Sequence, residues 1–365
     1  MPGRFDLTLE DLSSVLGDQP AYRARQVWRG LYQGREPEEM TDLPLTLRTR
    51  LSEDLPPGLR PATTSVNAEG DTTKWLWTLA DGAQVETVLM TYPSGRVTVC
   101  VSTQAGCAMA CSFCATGQAG FGRQLTAGEI VEQVIRAGRH LGGGAGAPTA
   151  SGGLPPWPTG LASPTDPGAR RIRNVVFMGM GEPLANYPAT WAAIERLHGD
   201  VGLSARHLTV STVGIVPGIY KLADERLPVN LAVSLHAAND ELRNSLVPIN
   251  RRYPLSMVVE ACQAWAASRN RRLSFEWALI DGVNDRPSDA RELADIARPL
   301  AAHVNLIPLN PTPGYLTQGT PPAGVQAFRD RLVAAGVNAT VRRNRGTDIA
   351  AACGQLAAGG QPPIT

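Results

Sequence analysis

Between residues 96 and 310 the sequence alternates strand-like and helix-like patterns, and this alternation leaves few folds open. Apolar and β-branched runs read as strands near 97–102, 173–178, 207–212, 229–235, 273–280 and 303–309. Helical patterns lie between them. One follows Thr126-Ala127-Gly128-Glu129, a capping-box match, and others open near Pro254 and Pro287, where proline is tolerated in a first turn. Such alternation predicts parallel strands with helical crossovers. Six of them predict an α/β fold of the open, partial (β/α)6 barrel kind.

The alternation inside those strands says what the barrel encloses. Val97, Val99 and Val101 share one face, while Thr98, Cys100 and Ser102 share the other. Val229, Leu231, Val233 and Leu235 likewise oppose Asn230, Ala232, Ser234 and His236, and Leu273, Phe275, Trp277 and Leu279 oppose Ser274, Glu276 and Ala278. If helices cover the apolar faces, the small polar faces line a lumen, which suits a ligand better than a packed interior would. Ser211, His236 and Asn310 fall at or just past strand C-terminal ends, where barrel enzymes carry their sites.

Four regions follow. Residues 1–60 read as a small helical module with apolar stripes at Leu9, Leu12, Val15 and Leu16 and at Val27, Trp28, Leu31 and Tyr32, each stopped by a glycine. Residues 61–95 read as a linker and a hairpin around Ala80-Asp81-Gly82. Residues 96–315 hold the barrel, interrupted at 142–170 by a Gly/Pro-rich insertion without periodicity, expected to be flexible. Residues 316–365 supply a helix, a last strand near 337–342 and a terminal loop. No apolar run is long enough to cross a membrane and the N-terminus lacks a secretion signal, so a cytoplasmic address without membrane attachment is expected. A formal net charge of +1 gives no whole-molecule case for nucleic acid. Two local arginine clusters, Arg269, Arg271 and Arg272 and then Arg342, Arg343 and Arg345, could each meet phosphate or simply face solvent.

Chemistry concentrates in Gln104 to Arg123, where Cys107, Cys111 and Cys114 stand within eight residues. Soft thiolates select zinc, copper(I) or iron–sulfur clusters. Structural zinc wants four ligands, usually in two short pairs, and no second Cys pair exists in the chain. Three thiolates on a cubane of four irons would leave one iron open to a ligand from outside the protein. The glycines at 106, 117, 120 and 122 describe a loop, which argues against three packed apolar cysteines. Farther on, Phe177 to Pro183 reads FMGMGEP, a turn whose glycines allow close backbone approach and whose Glu182 supplies a carboxylate. Cys262 reads as a buried helix cysteine. Cys353 lies among alanines, which favours packing, yet three arginines precede it and favour a thiolate.

The CxxxCxxC spacing resembles the radical S-adenosylmethionine (SAM) superfamily. Over nearly the whole chain the motifs resemble the RlmN-type ribosomal RNA adenine-C2 methyltransferases, with Cfr-type adenine-C8 methyltransferases as close kin. They are YRARQVWRGLY, QVETVLM, CVSTQAGCAMACSFCATG, FMGMGEPLANY, STVGIVP, AVSLHA, LIPLNP and GTDIAAACGQL. The insertion at 142–170 departs from the compact form such proteins take. The resemblance implies a 4Fe–4S cluster on Cys107, Cys111 and Cys114, and SAM contacts from Gly181, Glu182, Ser211, Ser234, His236 and Asn310.

It also implies why two more cysteines are present. Adenine C2 lies between two nitrogens and is electron-poor, so it does not attack the methyl of SAM as an amine would. In the implied scheme Cys353 is methylated first, by displacement on one SAM. A second SAM, cleaved reductively, gives the 5′-deoxyadenosyl radical that activates the S-methyl group for addition to the ring. Cys100 then releases the protein–RNA adduct by forming a disulfide with Cys353, and Glu86 accepts the ring proton. Read without the resemblance, Glu86 is an exposed hairpin carboxylate. Implied partners are 23S ribosomal RNA near the peptidyl-transferase region, certain transfer RNAs, and a flavodoxin- or ferredoxin-type electron donor for a monomeric enzyme. Two other readings stay open: methylation at C8, and a non-catalytic RNA-binding protein holding zinc.

Overall fold

The computed structural model describes residues 3–142, 171–268 and 271–357. Most of the insertion read at 142–170, together with Arg269, lies outside the described residues.

At the N-terminus α1 (Leu9–Leu16), α2 (Tyr22–Tyr32) and α3 (Leu45–Asp54) form the expected helices. Thr8 and Asp11 close a reciprocal cap on α1, with Asp11 N–H donating to Thr8 Oγ1 at 3.1 Å and Thr8 N–H donating to the Asp11 carboxylate at 2.8 Å. Leu12, Leu16, Val27 and Leu31 face inward while Leu9 stays exposed, so the buried stripe is narrower than the sequence suggested.

A single ten-stranded sheet follows. Strands β1 (Leu59–Val66), β2 (Thr72–Leu79) and β3 (Gln84–Thr91) are antiparallel, and β3 pairs antiparallel with β4 (Val97–Cys100), setting Val88 beside Cys100. Strand β1 corrects the reading of that stretch as a linker: it is an edge strand with an irregularity between Pro61 and Thr63, and most of its residues are exposed. Proline is tolerated there because an edge needs no partner on one side.

The cysteine loop, introduced after β4, contains a small ribbon of β5 (Gln104–Gly106) and β6 (Phe121–Gln124) around the four-residue α4 (Ala115–Gln118). Helix α5 (Ala127–Gly142) then crosses to β7 (Asn174–Phe177), α6 (Tyr187–Gly199) to β8 (Leu208–Thr212), and α7 (Val216–Asp224) to β9 (Asn230–Ser234). After α8 (Asp240–Leu246) and α9 (Leu255–Ser268) comes β10 (Leu273–Leu279); α10 (Pro287–Ala297) leads to β11 (His303–Pro308), and α11 (Pro322–Ala334) to β12 (Ala339–Val341). Within the ten-stranded sheet, the order β4-β7-β8-β9-β10-β11-β12 pairs in parallel throughout. The six expected strands are all present, and short β12 extends the row. Thr126 and Glu129 cap α5 reciprocally as read, at 3.1 and 2.9 Å.

The faces divide as the alternation demanded. Val97, Val99, Val101, Phe177 and Phe275 are buried on the helix side, each worth roughly 1.5–3 kcal/mol relative to exposure. Thr98, Cys100, Asn230, Ser274 and Glu276 line a cavity on the other side. One buried amide ties these layers together. Gln133 of α5 accepts from Ser102 N–H at 2.8 Å and donates to its carbonyl at 2.9 Å, fixing the end of β4 where the cysteine loop begins.

Candidate active site

The cysteine loop is held open at its base by glycine. Gly106 has φ +81°, and a Cβ there would meet the Gly120 carbonyl at 2.1 Å. Cys107 N–H donates to that same carbonyl at 2.7 Å. Cys111 is buried, and Cys107 and Cys114 are half-buried. Burial pushes the Cys107 thiol up to about 12 and that of Cys111 well above the ordinary range, with the neighbouring cysteines and Glu182 adding repulsion. Thiols so placed resist ionisation until a metal takes the thiolate.

Among the described residues no three His, Cys, Asp or Glu side chains gather closely enough to ligate one ion.

The glycine-rich turn after β7 packs against the start of this loop. Ser102 Oγ accepts from Met180 N–H at 2.9 Å and donates to the Glu86 carbonyl at 2.6 Å. Gly181, at φ +101°, leaves no room for a Cβ, which would meet Gln104 Cβ at 2.6 Å. Glu182 is buried, donates its N–H to Gln104 Oε1 at 2.8 Å, and accepts from Leu184 N–H at 3.0 Å and Val213 N–H at 2.8 Å. Burial outweighs these bonds and raises its carboxyl to about 7.

His236, at φ +61°, accepts the Ala278 N–H on Nδ1 at 3.0 Å, and burial depresses its imidazole to about 3. It is therefore neutral with its proton on Nε2, a donor. Beneath both strands the fully buried Arg243 donates to the carbonyls of Val213 at 2.6 Å and Leu235 at 3.1 Å, so a guanidinium fixes the backbone on which Glu182 and His236 rest.

One cavity collects most of the sequence-derived site. Cys111, Cys114, Gly181, Glu182, Ser211, Ser234, His236, Asn310 and Cys353 all line it. Asn310 donates to the Cys353 carbonyl at 3.0 Å, while its own Oδ1 is buried without a hydrogen-bond partner. A carboxylate, an amide oxygen awaiting a donor, small hydroxyls and a neutral imidazole fit a zwitterionic nucleoside ligand such as SAM, and the three thiols beside them fit the cluster.

A second cavity of about 790 Å³ shares Cys114, Glu276, Arg342 and Cys353 with the first and adds Cys100. Burial raises the Cys100 thiol to about 12, and the nearby Cys353 pushes in the same direction. Arg342, 3.5 Å from Glu276, is pushed further above its ordinary range by its nearness to Cys353 and Glu276. The outer wall carries Arg96, Arg206, Arg272, Arg343 and Arg345.

Glu86 lines neither cavity and is corrected here: it is buried, not exposed, bound to Lys74 Nζ at 2.7 Å and accepting from Ala357 N–H at 2.8 Å. Cys107 lines neither cavity, and Cys262 is a buried residue of α9 as read.

Sequence reading missed Gln104, Arg206, Arg243 and Lys74, and placed Glu276 on the lumen face without a role. Glu276 alone carried a signal, as the charged member of a small polar strand face. The others act through tertiary contacts that periodicity does not encode.

No family model matches the chain. A protein of Parafrankia sp. (strain EAN1pec) described as "Probable dual-specificity RNA methyltransferase RlmN" is 52% identical over 354 residues, covering 94% of this chain and 88% of its own length. One of Chloroflexus aurantiacus with the same description is 48% identical over 372 residues, covering 99% and 94%. Among solved structures, a radical SAM methyltransferase from Sphaerobacter thermophilus superposes with a TM-score of 0.87 at 45% identity, covering 98% of this chain and 100% of its own.

Proposed function

The chain belongs to the RlmN family of radical SAM RNA methyltransferases, and from that premise we propose that it methylates C2 of an adenine in the peptidyl-transferase region of 23S ribosomal RNA, with certain transfer RNAs as second substrates. The observation that carries the reading is Cys353 standing where two cavities join. On one side are the cluster thiols and the polar set suited to SAM; on the other are Cys100 and a wall of arginines suited to phosphate.

In this reading Cys107, Cys111 and Cys114 hold a 4Fe–4S cluster, and Gly181, Glu182, Ser211, Ser234, His236 and Asn310 hold SAM. When bound, these groups supply the methyl and the hydrogen-abstracting radical, two SAM being used per turnover. Cys353 accepts the methyl and carries it to the base. Cys100 attacks the Cys353 sulfur, so that an S–S bond forms as the S–C bond breaks and its electron pair leaves with the methylene carbon. That carbon takes a proton to become the methyl group, and the electron donor reduces the disulfide before the next turnover. Glu86 takes the ring proton.

In this reading residues 1–60 are an accessory helical module that contributes to RNA binding, and 61–95 are an antiparallel extension in place of the linker. Residues 96–315 are the catalytic barrel, and 316–365 the part that carries the reactive cysteine loop. A flavodoxin- or ferredoxin-type protein supplies electrons, and the enzyme acts as a monomer in the cytoplasm. No helix among the described residues is long and apolar enough to cross a membrane.

The test is anaerobic incubation of reconstituted protein with SAM, reductant and ribosomal RNA fragments, followed by nucleoside mass spectrometry. 2-Methyladenosine is expected. Methylation at C8 alone would replace this reading with the Cfr-type one, and no methylated adenine at all would refute both.

Glu182 makes the SAM site pH-dependent. Its carboxyl is raised to about 7, so below that pH the empty site is protonated, whereas a cationic amino group on the ligand favours the carboxylate. Binding must then expel a proton. SAM affinity is expected to fall, by up to about tenfold per pH unit, as pH drops below about 7. In Glu182→Gln, affinity should be weak and nearly flat with pH. Calorimetric titration from pH 5.5 to 8.5 checks this, and parallel slopes for the two proteins would exclude Glu182 as the linked group.

A further inference from the structure

The loop bearing Cys353 is gripped at both feet by one buried ion pair on the β2–β3 hairpin. Lys74 Nζ donates to the Ala350 carbonyl at 3.1 Å and pairs with Glu86 Oε1 at 2.7 Å. Glu86 Oε2 accepts from Ala357 N–H at 2.8 Å. Residues 350–357 thus form an arch, with Cys353 near its crown. The side chains of Lys74 and Glu86 keep only 14% and 6% of their surface exposed, so the pair is shielded from water, where an exposed one would count for little.

The crown is seated on the opposite side of the cavity. Asn310 holds the Cys353 carbonyl, Ala115 N–H donates to the Gly354 carbonyl at 2.8 Å, and Thr116 Oγ1 donates to the Leu356 carbonyl at 2.5 Å. Ahead of the arch, Asp348 accepts from Ala68 N–H at 3.0 Å and Arg345 pairs with Asp71. The antiparallel extension is therefore a clasp around the reactive loop.

We propose that Lys74 is a positioning residue for Cys353, and that the Lys74–Glu86 pair is a two-state latch on the arch. This rests on the functional reading above, in which Glu86 receives the ring proton. While it holds Ala357 N–H, Glu86 lines neither cavity, so it must turn away from the arch to meet the base, and seating the arch and serving the base exclude each other. When the proton moves from the ring carbon to a Glu86 oxygen and the C–H electron pair stays with the ring, Glu86 becomes neutral. The Ala357 foot has already opened as Glu86 turned to the base; neutralisation now removes the attraction to Lys74, the Ala350 foot loosens, and the arch is free to bring Cys353 against Cys100. The latch keeps the methylated thioether on the cluster side until the base has been engaged.

Hydrogen exchange on the cluster-reconstituted full chain tests this. In Lys74→Met, amides of residues 350–357 are expected to exchange at least about tenfold faster, while those of β10 and β11 keep wild-type rates. Lys74→Arg, which retains the cation, should restore most of the protection. Glu86→Gln, a neutral mimic of the protonated state, should also release the arch, and it carries the measurement if Lys74→Met does not fold.

The same samples, treated with SAM, are scored for S-methylation of Cys353 by peptide mass spectrometry, expected to slow about tenfold in Lys74→Met alone of the two lysine variants. Unchanged exchange at 350–357 in both Lys74→Met and Glu86→Gln would overturn the latch. A wild-type chain that never acquires a methyl on Cys353 would instead count against the functional reading.

Discussion

Cys353→Ala is expected to lose RNA methylation by at least about 10³-fold, the scale on which removing a covalent nucleophile acts, and to form no protein–RNA adduct. Folding should be unaffected, because Cys353 is exposed and the loop's bonds at this position run through its backbone carbonyl. Cys100→Ala should fail differently. Cys100 lies on the lumen face of β4 in the cavity it shares with Cys353, so its loss leaves transfer to the base intact but removes the thiol that releases it. A denaturant-stable protein–RNA species joined through Cys353 is then expected to accumulate, visible by gel shift and located by peptide sequencing. The structural cost of losing this buried sulfur is roughly 1 kcal/mol, too little to explain a trapped product. Undiminished turnover in Cys353→Ala would end the two-cysteine scheme. Release without any adduct in Cys100→Ala would hand Cys100's role to another group.

The contrast between these cysteines shows how far the chain can be read from its residues. The lumen was legible because it depends on a period of two: Thr98, Cys100, Asn230, Ser234, His236, Ser274 and Glu276 sit on the small polar strand faces, and each lines at least one of the two cavities. The cysteine loop was legible because its spacing and glycines are local. Strand β1 was not, since an exposed edge strand broken at Pro61 has no buried stripe to display. Glu86 was misread for a different reason. A carboxylate two residues past a hairpin start looks solvated until a segment some 270 residues later folds over it. Arg206 and Arg272 precede β8 and β10, but only the tertiary fold gathers them with Arg342 and Arg343 around one cavity. Local pattern fixed the faces of the strands; contacts distant in sequence decided which charged groups meet.

Replacing any one of Cys107, Cys111 and Cys114 by alanine should separate metal chemistry from packing. If these residues served mainly as small apolar side chains, Cys111→Ala would cost about 1 kcal/mol of stability and little activity. If they hold a cubane, the variant should fold yet fail to retain iron and sulfide after anaerobic reconstitution, and methylation should drop by at least about 10³-fold. The proposed cluster role predicts the second outcome. Burial holds the Cys107 and Cys111 thiols above their ordinary range, so both stay protonated in the empty site and each must give up its proton to bind a metal. Wild-type protein should therefore gain thermal stability on reconstitution, and each alanine variant should not, because ligand binding stabilises only a chain able to bind. Iron and sulfide assays beside a melting curve read both quantities on one sample. Zinc retained without iron or sulfide by the wild-type chain would remove the source of the radical, and with it the role given to every residue around Cys353.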